Sequence, residues 1–119
     1  MHYWKRDFVN ERLRLSPRQS YRIVGSTASG LVRSDAVLAL LNGARRGVAE
    51  PLALVPADIG TVAEAAERMG VAVAKVVRWT RRRRNAMPNF RLNRSTTRIP
   101  LALAEAWLAA QSTPRRERA

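Results

Sequence analysis

The chain has 119 residues, with 22 basic against nine acidic side chains and a net charge of +13. Its length allows one ordinary domain or two very small ones, and an apolar fraction of 46% is enough for a core, which argues against wholesale disorder. The absence of cysteine excludes disulfides, thiolate metal sites and a thiol nucleophile.

The charge imbalance predicts an anionic partner. A net charge this far from zero disfavours the compact state unless an anion offsets it, and nucleic acids and anionic membranes are the common partners. Twenty of the basic residues are arginine, whose guanidinium forks onto phosphates and guanine edges. No apolar run approaches the roughly 20 residues of a membrane span, and the N-terminus lacks the apolar segment of a signal peptide. We therefore expect a cytoplasmic, nucleoid-associated protein that binds nucleic acid, is not an enzyme, and needs no cofactor, metal ion or small-molecule ligand.

Residues 1–45 predict a mostly helical N-terminal half. The segment DFVNERLR (7–14) can form a first helix. Ser16 followed by Pro17 is a favourable start for a second helix. The segment GLVRSDAVLALLN (30–42) then has the pattern of a short strand followed by a third helix.

Two stretches rich in glycine and proline, residues 42–51 and 55–60, interrupt the middle of the chain. Between them lies LALV (52–55), which is too apolar for a free linker. We therefore expect residues 46–60 to form an apolar connector that packs across both halves of a rigid, two-lobed body.

The second half opens with a helix-turn-helix pattern. Thr61 and Glu64 have the spacing of a capping box, and Gly70 is a natural stop for the helix that they begin. A second helix over residues 72–82 would bury a stripe of valines. Its opposite face would carry three basic residues at about one-turn spacing, namely Lys75, Arg78 and Arg82.

A hairpin and a final helix follow. The segments NFRL (89–92) and TTRI (96–99) can pair around Asn93-Arg94-Ser95. Pro100 then begins a last helix through LALAEAWLAAQ, and residues 112–119 are expected to be a disordered basic tail. The predicted fold class is mainly α with small β-hairpins.

Several short sequence motifs in the second half occur in an order along the chain that is found in a known protein family. They are T-V-x-E-A-A-E, a G-V turn, V-V-R-W in the second helix, F-R-L…R-I-P in the hairpin and A-E-A-W-L in the last helix. In this order and spacing, residues from about 60 to 111 resemble the excisionase-type branch of the winged helix-turn-helix proteins, which is related to the MerR DNA-binding domain. The resemblance implies that the second helix enters the major groove and that the hairpin, the wing, contacts the adjacent minor groove or backbone.

The first half carries a weaker copy of the same pattern. LSPRQSYRIV (15–24) aligns with VAVAKVVRWT (71–80) at an offset of 56 residues. Val32 aligns with Ile99 at an offset of 67, so the first wing would be shorter by 11 residues. Two interpretations stay open: two tandem winged helix-turn-helix lobes, or one such domain with a helical N-terminal extension packed on it.

Three sets of residues are predicted to bind DNA. The arginines at the end of the second helix are expected to clamp phosphates, and the arginine at the hairpin turn is expected to enter a minor groove. The sets are Lys75, Arg78, Arg81, Arg82 and Arg83 around the second helix; Arg91, Asn93, Arg94 and Arg98 in the wing; and Ser16, Arg18, Gln19 and Arg22 in the first half.

The front of the second helix departs from the family pattern, because residues 72–74 are Ala-Val-Ala where Ser or Thr and Arg are common. These side chains donate no hydrogen bonds to bases, whereas Arg18 suits guanine and Gln19 suits adenine. We expect the first half to read more sequence and the second to supply more affinity for the DNA backbone. The net charges agree, at +4 for residues 1–60 and +9 for residues 61–119.

The favoured function is a small, sequence-specific regulator of transcription that binds double-stranded DNA, of a phage or other mobile element. One alternative is an excisionase, a recombination directionality factor that bends DNA and recruits an integrase. RNA binding is a second alternative, and a protein-binding adaptor that keeps only the fold is a third. An integrase or RNA polymerase is the further partner in the first two cases, and a homodimer or a cooperative array on DNA stays open.

Overall fold

Six helices and two small antiparallel sheets make up the computed structural model, which describes residues 3–25 and 29–118, the last seven by their backbone. The first half contributes, in order, β1 (Tyr3–Lys5), α1 (Arg6–Arg12), α2 (Pro17–Ile23), β2 (Leu31–Arg33), α3 (Ser34–Ala44) and β3 (Arg45–Arg46). The second half contributes β4 (Ile59–Thr61), α4 (Val62–Met69), α5 (Val73–Thr80), β5 (Asn89–Asn93), β6 (Thr96–Pro100) and α6 (Leu101–Arg118).

Capping boxes begin α2 and α4 at the helix starts that the sequence predicts. The Thr61 hydroxyl accepts a hydrogen bond from the Glu64 amide at 3.1 Å, and the Glu64 carboxylate accepts one from the Thr61 amide at 3.0 Å. Ser16 and Gln19 form the same reciprocal pair, at 3.2 and 2.9 Å. Gly70 ends α4 at φ 69, a conformation that glycine adopts without steric cost. These starts and this stop are confirmed.

Two helix ends differ from the prediction. The second helix of the pair, α5, ends at Thr80, so Arg82 lies beyond it. The last helix continues to Arg118, through the segment that was predicted to be disordered. Extending a folded helix needs no new nucleation. Ala119 lies outside the described residues.

The predicted hairpin is formed by β5 and β6, within a four-stranded antiparallel sheet of order β3-β5-β6-β4. Strand β3 joins the hairpin from the first half, with Arg45 opposite Phe90. Strands β1 and β2 form the second sheet. The sequence predicted the hairpin and the short strand that corresponds to β2, but missed β1, β3 and β4, because strands of two or three residues are too short to show an alternating pattern. Strands β3 and β4 therefore occupy both ends of the segment 46–60, which was expected to be a connector.

The two halves repeat one order of backbone elements. Strands β1 and β4 begin at Tyr3 and Ile59, 56 residues apart. Each is followed by two helices, then by a strand that pairs back with it, then by a third helix; the second half has one additional strand, β5, before the strand that pairs back. The turns inside the two helix pairs also match, since each contains a residue of positive φ, Arg14 (φ 55) and Gly70 (φ 69).

Strand register and burial repeat as well. Val32 pairs with Trp4 in the first half, and Ile99 pairs with Gly60 in the second. Four pairs of positions, separated by 56 residues before the hairpin or by 67 after it, are buried in both halves, and these separations are the offsets of the sequence alignment. The buried pairs are Val9 and Ala65, Ser20 and Val76, Val32 and Ile99, and Val37 and Ala104.

A shared hydrophobic core joins the halves. The larger cluster combines apolar residues of α1, β2 and α3 with Ile59 and Phe90 of the second half. Leu52 and Val55 pack against it, as predicted for the apolar segment, although Leu54 is 80% exposed. The smaller cluster belongs to the second half and contains Ala65, Ala66, Val76, Met87, Ile99 and Ala104.

Candidate nucleic-acid interface

Helix α5 presents basic side chains to solvent. Val76 and Thr80 are buried, while Lys75 and Arg78 are exposed, as the helical pattern predicts. Val73 was predicted on the inner face, yet it is 48% exposed. Trp79, near the end of α5, packs against the smaller cluster.

Two tryptophans support two of the predicted basic residues. The rings of Trp79 and Trp107 lie 5.5 Å apart between centroids. The Lys75 ammonium lies 5.6 Å from the centroid of Trp79, and the Arg82 guanidinium lies 5.5 Å from that of Trp107. Cation–π contacts of this kind hold a charge at the surface without neutralising it. Lys75 and Arg82 therefore remain available to an anion, although Arg82 lies beyond the end of α5.

A cleft of about 720 Å³ lies beyond the end of α5. Three separate segments meet there: β3, the loop after α5, and β5. No carboxylate is among the described residues that line it. Each segment contributes arginine, and the five arginines of this arginine cleft are Arg46, Arg81, Arg82, Arg83 and Arg91.

The arginine cleft has the chemistry of a phosphate site. Guanidinium groups gathered without a counter-charge repel one another, so an anion bound among them is strongly favoured. Among the described residues, no hydrogen-bond, ion-pair or ring partner is recorded for the side chains of Arg46, Arg81, Arg83 and Arg91. Their forked donors match the oxygens of a phosphodiester. Sequence reasoning selected four of the five but missed Arg46, which reaches the cleft only through the pairing of β3 with β5.

A smaller groove of about 420 Å³ lies between α5 and the hairpin. Val73 and Val77 line one side, and Arg94 and Thr97 line the other. Thr80 and Arg81 line both the groove and the arginine cleft, so the two adjoin each other at the end of α5. We call the whole the cationic surface; it comprises Lys75 and Arg78 on α5, the arginine cleft, and Arg94 at the hairpin turn.

The hairpin turn holds Arg94 outward. The side-chain oxygen of Asn93 accepts hydrogen bonds from the Ser95 amide at 3.0 Å and from its hydroxyl at 3.3 Å. Asn93 was predicted to contact DNA, and in this structure its side-chain oxygen shapes the turn. Arg94 is exposed at the tip, and Arg91 is half-buried at the edge of the arginine cleft.

Arg98 is not on the surface, which corrects its predicted place among the wing contacts. Its side chain is buried, with 8% of the residue exposed. The guanidinium donates to the backbone carbonyls of Leu13, Arg14 and Thr97 at 2.9, 2.7 and 2.9 Å. The predicted alternation of strand residues could not reveal this, because the partners come from the other half of the chain.

The four predicted residues of the first half divide into two roles. Ser16 and Gln19 use their side-chain oxygens in the capping box of α2. Arg18 and Arg22 are exposed, and neither has a recorded partner within the described residues. The Gln19 amide keeps its NH₂ group for another acceptor.

Within the described part of the chain, no group of three or more His, Cys, Asp or Glu side chains is placed to hold a metal ion. None of the described helices is long and apolar enough to cross a membrane. Comparison with protein-family models, curated protein sequences and solved structures gives no match for this chain. The geometry of the chain itself therefore has to carry the functional proposal.

Proposed function

We propose that this protein binds double-stranded DNA and acts, without catalysis, as a small sequence-specific regulator of transcription. The single observation that carries the proposal is the cationic surface formed by α5, the arginine cleft and the hairpin turn. A phosphate backbone is a regular row of anions, and a surface that gathers arginines from three chain segments is complementary to it.

We further propose that each half is a winged helix-turn-helix lobe. The repeated element order, the matching turns at Arg14 and Gly70 and the equivalent buried positions support this assignment. In this interpretation α5 and α2 are the recognition helices, and β5 and β6 form the wing of the second lobe. The first lobe keeps only a shortened connection before β2.

On this proposal the second lobe supplies mainly backbone contacts. Arg81, Arg82 and Arg83 would contact phosphates, and Arg94 would reach a minor groove. Base reading by α5 rests on Lys75 and Arg78, since residues 72–74 offer no hydrogen-bond donors from their side chains. Arg18 and Arg22 on α2 give the first lobe its own base-reading candidates.

Salt-dependent binding tests the proposal. With about six phosphate contacts, the logarithm of the duplex affinity should fall against the logarithm of salt concentration with a slope near −5. The measurement is fluorescence anisotropy with a labelled duplex, and a single-stranded RNA of equal length serves as the competitor. Equal affinity for the RNA would favour an RNA-binding role, and no duplex binding at low salt would rule the proposal out.

Footprinting on the DNA that flanks the gene separates the two DNA-binding roles. Protection over a promoter, together with a change in transcript level on deletion, is the expected result for a regulator. Protection over an attachment site, with enhanced bending of that DNA, would instead indicate an excisionase that works with an integrase.

A further inference from the structure

Arg98 joins the two halves of the molecule at one point. It lies in β6, yet two of its three acceptors, the carbonyls of Leu13 and Arg14, form the turn between α1 and α2. Burial lowers the pKa of the Arg98 guanidinium, and the nearby Glu64 carboxylate opposes this shift. Arginine stays charged in such a setting, so these are charge-assisted hydrogen bonds in a partly dry environment, which is where they are strong.

A second contact reinforces the same junction. The Arg14 guanidinium lies 3.4 Å from the Glu64 carboxylate, which also caps α4. Two elements of the second half, β6 and α4, are therefore tied to one turn of the first half. Since α2 begins three residues after Arg14, this junction, together with the shared core, sets the position of α2 relative to the hairpin.

The junction lies between the two sets of basic residues that face solvent. Arg98 also lines the groove that separates α5 from the hairpin. The Arg94 side of this groove belongs to the cationic surface. The turn at Leu13 and Arg14, whose carbonyls Arg98 contacts, leads into α2 with its exposed Arg18 and Arg22. One buried side chain thus lies between two candidate DNA-contacting helices.

We propose that Arg98 is a positioning residue that holds α2 and α5 at one distance, so that the protein recognises a two-part DNA site of invariant spacing. This proposal rests on the proposed function. A chain with a flexible connection between its halves would tolerate extra base pairs between the two parts. A rigid one cannot, because each inserted base pair shifts one part by about 3.4 Å and turns it by roughly 35° around the duplex.

The test begins with selection of preferred sequences from a random duplex library by the full chain. We expect a site with two separated parts. Inserting one or two base pairs between the parts should weaken wild-type binding at least about tenfold, since one part loses its base contacts. The spacing ratio, defined as the affinity for the selected spacing divided by that for the two-base-pair insertion, is the measured quantity.

The Arg98→Gln variant should lower this ratio to less than about threefold while still binding duplex DNA. Arg94→Gln is the matched control, because it removes an exposed arginine from the same hairpin. It should weaken binding to both probes alike and leave the ratio unchanged. Thermal unfolding of each variant separates loss of fold from loss of spacing. Should Arg98→Gln fail to fold, Arg98→Lys keeps the buried cation without the fork and is expected to give an intermediate ratio.

Three results would overturn the inference. The first is wild-type binding that tolerates the inserted base pairs, a result that leaves the proposed DNA binding intact. The second is a folded Arg98→Gln variant with the wild-type spacing ratio. The third applies if Arg98→Gln does not fold, and is a folded Arg98→Lys variant with the wild-type spacing ratio. Absence of wild-type duplex binding would instead remove the proposed function, and this inference with it.

Discussion

Gly47, which lines the arginine cleft, stands at a position that does not accommodate a side chain. It has φ +71, and a Cβ atom added there would overlap the backbone carbonyl oxygen of Ala86. The close approach brings the end of β3 against the loop that carries Arg81, Arg82 and Arg83, and so it delivers Arg46 to the cleft. A glycine is required for two independent reasons, backbone conformation and space.

Replacing Gly47 with alanine should therefore lower the free energy of unfolding by about 3 kcal/mol, combining left-handed strain with overpacking. Gly30→Ala separates the two causes, because Gly30 has the same φ of +71 but open space around it, and it should cost only about 1 kcal/mol. Urea unfolding measures both. Equal losses of unfolding free energy at the two positions would show that the backbone at Ala86 moves away from the added methyl group without an energetic penalty.

At the level of secondary structure, helices α2 and α5 begin differently. Helix α2 has a full capping box, whereas the N-cap of α5 is Ala72, which makes no side-chain hydrogen bond. The backbone at Ala72 is nevertheless extended (φ −71, ψ 146), and Ser16 caps α2 from a nearly identical conformation. The geometry for a cap is present, and the hydroxyl is missing.

Ala72→Ser should accordingly raise the free energy of unfolding by about 1 kcal/mol, because a serine at this position can accept a hydrogen bond from the first turn of α5. Ala74→Ser is the control within the helix; it should lower stability slightly, since serine is a weaker helix former than alanine. Thermal unfolding of both variants measures these changes in stability. A loss of stability at Ala72→Ser would mean that the first turn of α5 is not helical in solution.

In the molecule as a whole, the basic residues that favour anion binding are expected to lower the stability of the free folded protein. The arginine cleft gathers like charges from both halves in a chain of net charge +13. By contrast, Arg68 on α4 has acidic neighbours, Glu105 at 2.9 Å and Asp58 at 3.9 Å. Basic residues that bind a partner anion should destabilise the free protein, while paired ones should not.

The double variant Arg81→Gln/Arg83→Gln should melt at a higher temperature than wild type at low salt, and the difference should vanish at high salt as repulsion is screened. The same variant should bind duplex DNA more weakly, with a salt slope shallower by about two. Arg68→Gln removes a charge from outside the cationic surface and should show neither effect. A double variant that melts lower at every salt concentration would contradict the prediction.

Features that depend only on residues close together in the chain could be predicted from the sequence alone. The pairs Thr61 with Glu64 and Ser16 with Pro17 mark helix starts within a single turn, because capping involves only local hydrogen bonds. The hairpin around Asn93-Arg94-Ser95 and the outward side chains of α5 follow from equally short patterns. The sequence therefore determined most helix starts, the hairpin and most members of the cationic surface.

Tertiary structure alone decided how arginines of similar sequence context are used. Arg94 and Arg98 lie four residues apart in one hairpin, yet one is exposed at the tip and the other is buried against carbonyls 84 and 85 residues earlier in the chain. Arg46 reaches the arginine cleft through a two-residue strand, and Phe90 completes a core built mainly from the first half. The physical reason is the same in each case: the partner that fixes the side chain is distant in sequence, and no local periodicity encodes a contact made only after the halves pack together.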